Sequence, residues 1–161
     1  MSGQAENKNE STELLQLVSF KIANEEFGVD ILNVQEINKM TQITKVPNSP
    51  HFVEGVINLR GRVIPVVNLR IKMSMPNKEY DKDTRIIVVD LSGKTVGFLV
   101  DSVSEVLRIP RNIIEPPPSM VAGINSNYIT AVGKLEDRLL ILLDLNKVLL
   151  EEEKTALDTA I

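Results

Sequence analysis

Arg60 and Arg62 flank Gly61 in the run Asn58-Leu59-Arg60-Gly61-Arg62-Val63-Ile64-Pro65-Val66-Val67-Asn68. Two cations at a tight turn suit recognition of a carboxylate or carbonyl, because guanidinium is a planar fork of five donors. The alternative for each is a solvated turn cation with no partner. Catalytic groupings are harder to find. His51 is the single histidine; it follows Pro50 in a loop, and no triad pattern surrounds it. The carboxylates Asp30, Glu36, Glu54, Asp90, Asp101 and Glu105 are numerous. Nothing marks two of them as an acid and base with separated pKa values, so they read as turns or a solvated face. With no Cys, no second His and no Asp-rich loop, metal-ligand spacing is absent. Gly93-Lys94-Thr95 looks like the end of a phosphate-binding loop, but Val88 stands where that loop needs Gly. The segment after Thr95 reads as a strand rather than a helix whose N-terminus could hold phosphate. The residues point to binding rather than reaction; neither an enzyme nor a cofactor is expected.

These groups must be positioned by β structure. Apolar, β-branched segments recur at 14–22, 26–29, 34–40, 53–59, 63–67, 85–91, 94–100, 103–109, 128–135 and 139–143. The breaks between them, such as Ala23-Asn24-Glu25, Arg60-Gly61-Arg62, Ser92-Gly93 and Glu136-Asp137, have hairpin or loop composition. Many short strands at close spacing predict small barrels or a sandwich. Gly61 supplies the positive φ of a tight hairpin. Short helices are expected at 69–74 and 144–152, the second capped by Asp144. Residues 1–13 read as a disordered polar tail, 152–161 as a tail or short helix, and Pro116-Pro117-Pro118 as a stiff extended loop.

Composition narrows the function classes. A chain of 161 residues can bury a true core, and with 4% aromatics and no Trp that core must be aliphatic. The net charge of −4 disfavours nucleic acid, whose non-specific binding needs a basic face. Small barrels do bind single strands, but through exposed aromatics, and these Phe and Tyr residues alternate with Val and Ile like core residues. The aliphatic run 139–143 is too short to span a bilayer, and the polar first residues lack a signal core. A cytoplasmic location is expected.

The chain contains an internal repeat. Residues 52–69 align without a gap on residues 128–145, with Val56/Val132, Leu59/Leu135, Arg62/Arg138 and Leu69/Leu145 identical. Earlier in each half Gly28 matches Gly97, and Val34-Gln35-Glu36-Ile37 matches Val103-Ser104-Glu105-Val106. Two similar β units packed side by side are predicted, roughly 14–80 and 81–151, with or without an exchange of strands. The seam between them makes a groove, apolar with carboxylates at its rim. Arg62 persists as Arg138, which suggests a structural contact; Arg60 becomes Glu136, which makes Arg60 the better binding candidate. Gly55 within a strand marks a close backbone approach, either inside the unit or by a partner.

Several ordered motifs resemble the CheW family of bacterial chemotaxis: Phe27-Gly28-Val29-Asp30-Ile31, Phe52-Val53-Glu54-Gly55-Val56-Ile57-Asn58-Leu59-Arg60-Gly61, Val96-Gly97-Phe98-Leu99-Val100-Asp101 and Arg138-Leu139-Leu140-Ile141-Leu142-Leu143-Asp144. The resemblance runs from about residue 14 to 151, with Asn68 where the family has Asp. It implies a mainly β fold of two five-stranded SH3-like barrels packed side by side, with short helices. It implies an adaptor linking chemoreceptor cytoplasmic hairpin tips to the regulatory domain of the histidine kinase CheA, monomeric alone and ring-forming in membrane-associated receptor arrays, without membrane insertion. Carried over by motif, the receptor groove comprises Val34, Glu36, Arg60, Ile86, Val103 and Val106. The kinase-binding residues comprise Ile31 and Gly55 on the first barrel, with Glu115 and Met120 bounding a second ring contact. The length leaves no room for the receiver domain of a CheV-type scaffold or for a kinase catalytic domain.

Overall fold

The computed structural model describes residues 13–117 and 127–160. Among these residues the strands are β1 (Leu14–Ile22), β2 (Glu25–Asp30), β3 (Val34–Lys39), β4 (Val53–Leu59), β5 (Arg62–Asn68), β6 (Arg85–Leu91), β7 (Lys94–Val100), β8 (Ser102–Pro110), β9 (Ile114–Glu115), β10 (Ile129–Lys134) and β11 (Leu139–Leu143). The helices are α1 (Leu69–Lys72), α2 (Leu145–Val148) and α3 (Glu151–Ala160). All ten expected strands form, and β9 is an addition. Asn68 and Asp144 occupy equivalent helix caps, accepting the backbone N–H of Ile71 at 3.2 Å and of Asn146 at 3.0 Å. The predicted second helix divides at Leu149, which is extended. α3 then restarts where the Leu150 N–H donates to Glu153 Oε1 at 2.7 Å, a carboxylate reaching back to an orphan donor.

The strands assemble as two sheets, β8-β1-β2-β11-β10-β9 and β3-β6-β7-β5-β4. The sheets do not follow the halves of the chain. Each takes the first hairpin of one half and the remaining strands of the other, so β8-β1-β2-β11-β10 matches β3-β6-β7-β5-β4 strand for strand. Their registers also match. Leu142 faces Gly28 across one parallel pair and Val66 faces Gly97 across the other. β3 carries an extra residue between Val34 and Glu36, and β8 carries one between Val103 and Glu105. β4 and β10 repeat this between Val53 and Gly55 and between Ile129 and Ala131. Bulges sharpen local twist and let short sheets curl. The chain after β3 returns to β4 through a Thr44–Val56 bridge, and the chain after β8 returns to β10 through β9. The two edges of each curled sheet are joined by the same path.

Three apolar clusters result from this arrangement. Ile57, Ile64, Val66, Ile86, Val88 and Leu99 fill the five-stranded unit. Leu17, Ile109, Leu140 and Leu142 fill the six-stranded one. The largest cluster lies between the sheets and takes Phe20 and Phe27 from one, Val67 and Phe98 from the other, and Leu145, Val148 and Leu157 from the helices. Phe20 and Phe27 stack with ring centroids 5.7 Å apart. β6 reads as the unbroken apolar run Ile86-Ile87-Val88-Val89 because alternate residues enter different clusters. Each fully buried side chain of this kind stabilises by about 1.5–3 kcal/mol, and the shared cluster is what binds the two units into one body.

Candidate functional site

The edge strands β3 and β8 carry the repeated tetrad onto the surface. Val34 and Val103 occupy equivalent positions, are half-buried and pack against the shared central cluster from its two sides. Ile37 and Val106, also equivalent, are 39% and 48% exposed. An aliphatic pair presented at the same place on two related edges is not explained by either unit's own packing. The repeat carries the signal for Ile37, since it aligns Ile37 with Val106, yet motif resemblance alone leaves Ile37 out of the groove.

Each edge also presents a carboxylate facing an arginine. Arg60 and Gly61 both take positive φ, 51° and 84°, as a two-residue hairpin turn requires, and Gly61 N–H donates to Asn58 Oδ1 at 2.8 Å. From that turn Arg60 reaches β3. Its Nη1 donates to Glu36 Oε1 at 3.3 Å, and its Nη2 donates to Glu36 Oε2. The hydrogen bond from Arg60, then one with Asn38, holds the Glu36 carboxyl below its ordinary value, while the same bond raises Arg60. On the other edge Arg138 Nη2 lies 3.7 Å from Glu105 Oε1.

Arg62 and Arg138 make equivalent inward contacts. Arg62 Nη2 donates to Thr95 Oγ1 at 2.8 Å, and Arg138 Nε donates to Glu26 Oε1 at 2.6 Å; Thr95 and Glu26 correspond in the repeat. Glu26 is nearly buried and also accepts from the Ser19 hydroxyl. Burial pushes the Glu26 carboxyl up, but the bonds from Ser19 and Arg138 outweigh it and leave it below the ordinary value. The arginines kept in both halves are structural, whereas Arg60 lies exposed at its turn.

The remaining expected residues divide. Ile86 is fully buried in the five-stranded unit and offers no surface, because β6 is a central strand covered on both faces; its side chain enters that unit's own cluster, on the face of β6 opposite the central cluster that Val34 and Val103 pack against. Gly55 is buried too, at φ 151°, and a Cβ there would lie 2.2 Å from the Thr44 carbonyl oxygen. The close approach at Gly55 is made by its own chain. Ile31 is half-buried against the central cluster, while its neighbour Leu32 is 88% exposed at the tip of the turn between β2 and β3. Leu32, rather than Ile31, presents the apolar surface there. Asp30 fixes that turn by accepting the Leu32 N–H at 3.0 Å. Glu115 is exposed on β9 and pairs with Lys134 at 3.2 Å. Met120 lies outside the described residues.

His51 packs edge-on against Phe52. Among the described residues no group of three or more His, Cys, Asp or Glu side chains is arranged to hold a metal, and no helix is long and apolar enough to cross a membrane.

Comparison with known proteins places this geometry. Residues 16–153 match the family model of the CheW-like domain. The chemotaxis protein CheW of Klebsiella aerogenes is 40% identical over 143 residues, covering 89% of this chain and 86% of that protein. The chemotaxis protein CheW of Helicobacter pylori is 38% identical over 148 residues, covering 92% and 88%. Among solved structures, the scaffolding protein TtCheW of Thermoanaerobacter tengcongensis superposes with a TM-score of 0.78 at 39% identity, covering 84% of this chain and 92% of that one.

Proposed function

The chain belongs to the CheW-like domain family, and on that premise we propose that it is a non-enzymatic chemotaxis adaptor holding a chemoreceptor cytoplasmic hairpin tip and the regulatory domain of the histidine kinase CheA. The observation that carries this reading is the repeated edge: Val34 and Val103 beside the seam, Ile37 and Val106 exposed, and one carboxylate on each edge. An apolar strip of this kind accepts one face of an amphipathic helix, with charged residues at the rim setting register. The receptor tip occupies this strip, and Arg60 and Glu36 exchange part of their mutual pairing for contacts with it.

The kinase domain docks on the turn that bears Ile31 and Leu32, with Leu32 as its apolar anchor, and Gly55 contributes by letting β4 close on Thr44. Glu115 and Met120 belong to the second ring contact. The protein acts in the cytoplasm, is recruited to membrane-associated arrays, is monomeric alone and closes into rings there. Individual contacts are modest and gain strength from multivalency.

The test is amide chemical-shift mapping of the labelled protein against a receptor cytoplasmic fragment and, separately, a CheA regulatory domain. Ile37→Ser with Val106→Ser is expected to weaken receptor binding alone, and Leu32→Ser to weaken kinase binding alone. Loss of neither, with both variants folded, overturns the assignment of surfaces; no binding to either partner overturns the function.

A further inference from the structure

The two units present equivalent mouths, and among the described residues only one of them is filled. In the five-stranded unit the mouth lies beside Asn68, Arg70, Leu99 and Asp101, and residues 77–80 lie across it, leaving a cavity of only about 20 Å³. That segment is held by side chains of the mouth. Asn68 Nδ2 donates to Asn77 Oδ1 at 3.2 Å, and Arg70 Nη1 donates to the Pro76 carbonyl at 2.8 Å. Burial, and then the neighbouring Glu54 carboxylate, push the Tyr80 hydroxyl pKa up.

The repeat converts Asn68, Arg70, Leu99 and Glu54 into Asp144, Asn146, Asp30 and Thr130. These four line a cavity of about 300 Å³ in the other unit, floored by Leu17 and Leu142. That volume reaches the lower end of the range of about 300–1,000 Å³ typical of binding pockets. Among the described residues no segment takes the place that 77–80 takes in the first mouth. Its chemistry is also altered: the arginine and the Glu54 carboxylate are gone, and two carboxylates, Asp30 and Asp144, stand at the rim. Asp30 and Asp144 each use one oxygen to cap a turn, accepting from Leu32 N–H and Asn146 N–H, both at 3.0 Å. No hydrogen bond reaches their second oxygens among the described residues.

We infer that this open mouth is a docking site for an extended, basic segment of a partner protein, seated as residues 77–80 are seated in the equivalent mouth. An apolar or aromatic side chain of the segment covers Leu17 and Leu142, and a neighbouring lysine or arginine meets Asp30 and Asp144. The inference rests on the repeat and the two cavities and on neither the receptor nor the kinase assignment, although Asp30 and Asn33 flank the Leu32 turn.

The probe is a peptide of residues 75–84 carrying Glu79→Lys and Asp81→Lys, titrated into the full-length labelled protein. Saturable binding is expected, with amide shifts at Gly28, Asn33, Thr130 and Asn146. Asp30→Asn combined with Asp144→Asn keeps both caps, since Asn68 already caps the equivalent helix, and is expected to weaken binding about fivefold to tenfold. Thr130→Trp, which fills the mouth from an exposed position, is expected to abolish it. No saturable binding, shifts confined to other surfaces, or an affinity untouched by the paired asparagines each overturns the inference. A variant lacking residues 2–12 is the control for an occupant within the chain. If that deletion alone moves the same amides and is needed before the peptide binds, the partner assignment falls.

Discussion

Arg60 and Glu36 join the two edges of the five-stranded sheet. Arg60 stands on the turn after β4, Glu36 stands on β3, and the guanidinium engages both carboxylate oxygens. The Thr44–Val56 bridge ties the same two edges through the backbone. Because that bridge already ties these edges through the backbone, the exposed ion pair adds little to the fold. Arg60→Ala is therefore expected to leave the denaturant midpoint close to the parent's, as removal of exposed ion pairs generally does. It should raise the Glu36 pKa toward its ordinary value, since the Arg60 hydrogen bond is the largest influence holding it down. Carboxyl NMR titration of both proteins reads this directly; an unmoved Glu36 would show that the pair does not persist in solution.

Gly55 and Gly61 separate two kinds of glycine requirement. A Cβ on Gly55 meets the Thr44 carbonyl oxygen at 2.2 Å, whereas a Cβ on Gly61 meets nothing within 4 Å. Gly61→Ala costs only the strain of positive φ, about 1 kcal/mol. Gly55→Ala adds displacement of backbone at the closing bridge, and should cost about 3 kcal/mol or more. Urea denaturation of the two variants checks the order, and equal losses would contradict the closure described for this unit.

Acid should destabilise the fold through its paired carboxylates. Burial raises Asp101, but hydrogen bonds from Arg70 and from the Ala23 N–H bring it below its ordinary value, and Glu26 behaves likewise. For groups whose folded pKa is depressed, the stabilisation is fully present above the unfolded value and is lost as pH falls through the folded one. Stability is therefore expected to be level above about pH 5 and to fall below about pH 4. Glu26→Gln should flatten that fall, measured as urea midpoints between pH 2 and 7. An unchanged acid limb in the variant would remove Glu26 from the account.

Leu157 anchors α3. It is 1% exposed in the shared cluster, and Glu153 on the same helix pairs with Lys72 at 2.6 Å, an ammonium that also lies 4.9 Å from the Phe52 ring centre. Leu157→Ala should cost about 2–4 kcal/mol and speed amide exchange in α3 and around Lys72. Exchange unchanged there would mean that the helix is held without Leu157.

Strand positions were legible because period, β-branching and turn residues agree along most of the chain. Register was legible in part. Once 52–69 is laid on 128–145, the matching bulges before Gly55 and Ala131 follow from the alignment. The exchange of first hairpins was not legible, since either unit could accept either hairpin from pattern alone; the choice depends on which faces meet across the central cluster. Ile86 was misplaced for a related reason. Motif resemblance locates a position on a strand but not its direction, and β6 is apolar on both faces. Gly55 was legible as a close approach, but the identity of the approaching group, Thr44, depended on a bridge that no local pattern announces. The exposure of Leu32 followed from the turn geometry that Asp30 caps, and neighbouring Ile31 was equally apolar in the sequence.

The central claim is that one chain holds two partners at separate faces at once. The most direct measurement is a sequential titration. The protein is saturated with the CheA regulatory domain, a receptor cytoplasmic fragment is then added, and mass and affinity are read by sedimentation and calorimetry. The account predicts a ternary complex, with receptor affinity close to that of the free protein. Displacement of the kinase domain by the receptor fragment would contradict it, because the repeated edge and the Leu32 turn would then serve a single shared site.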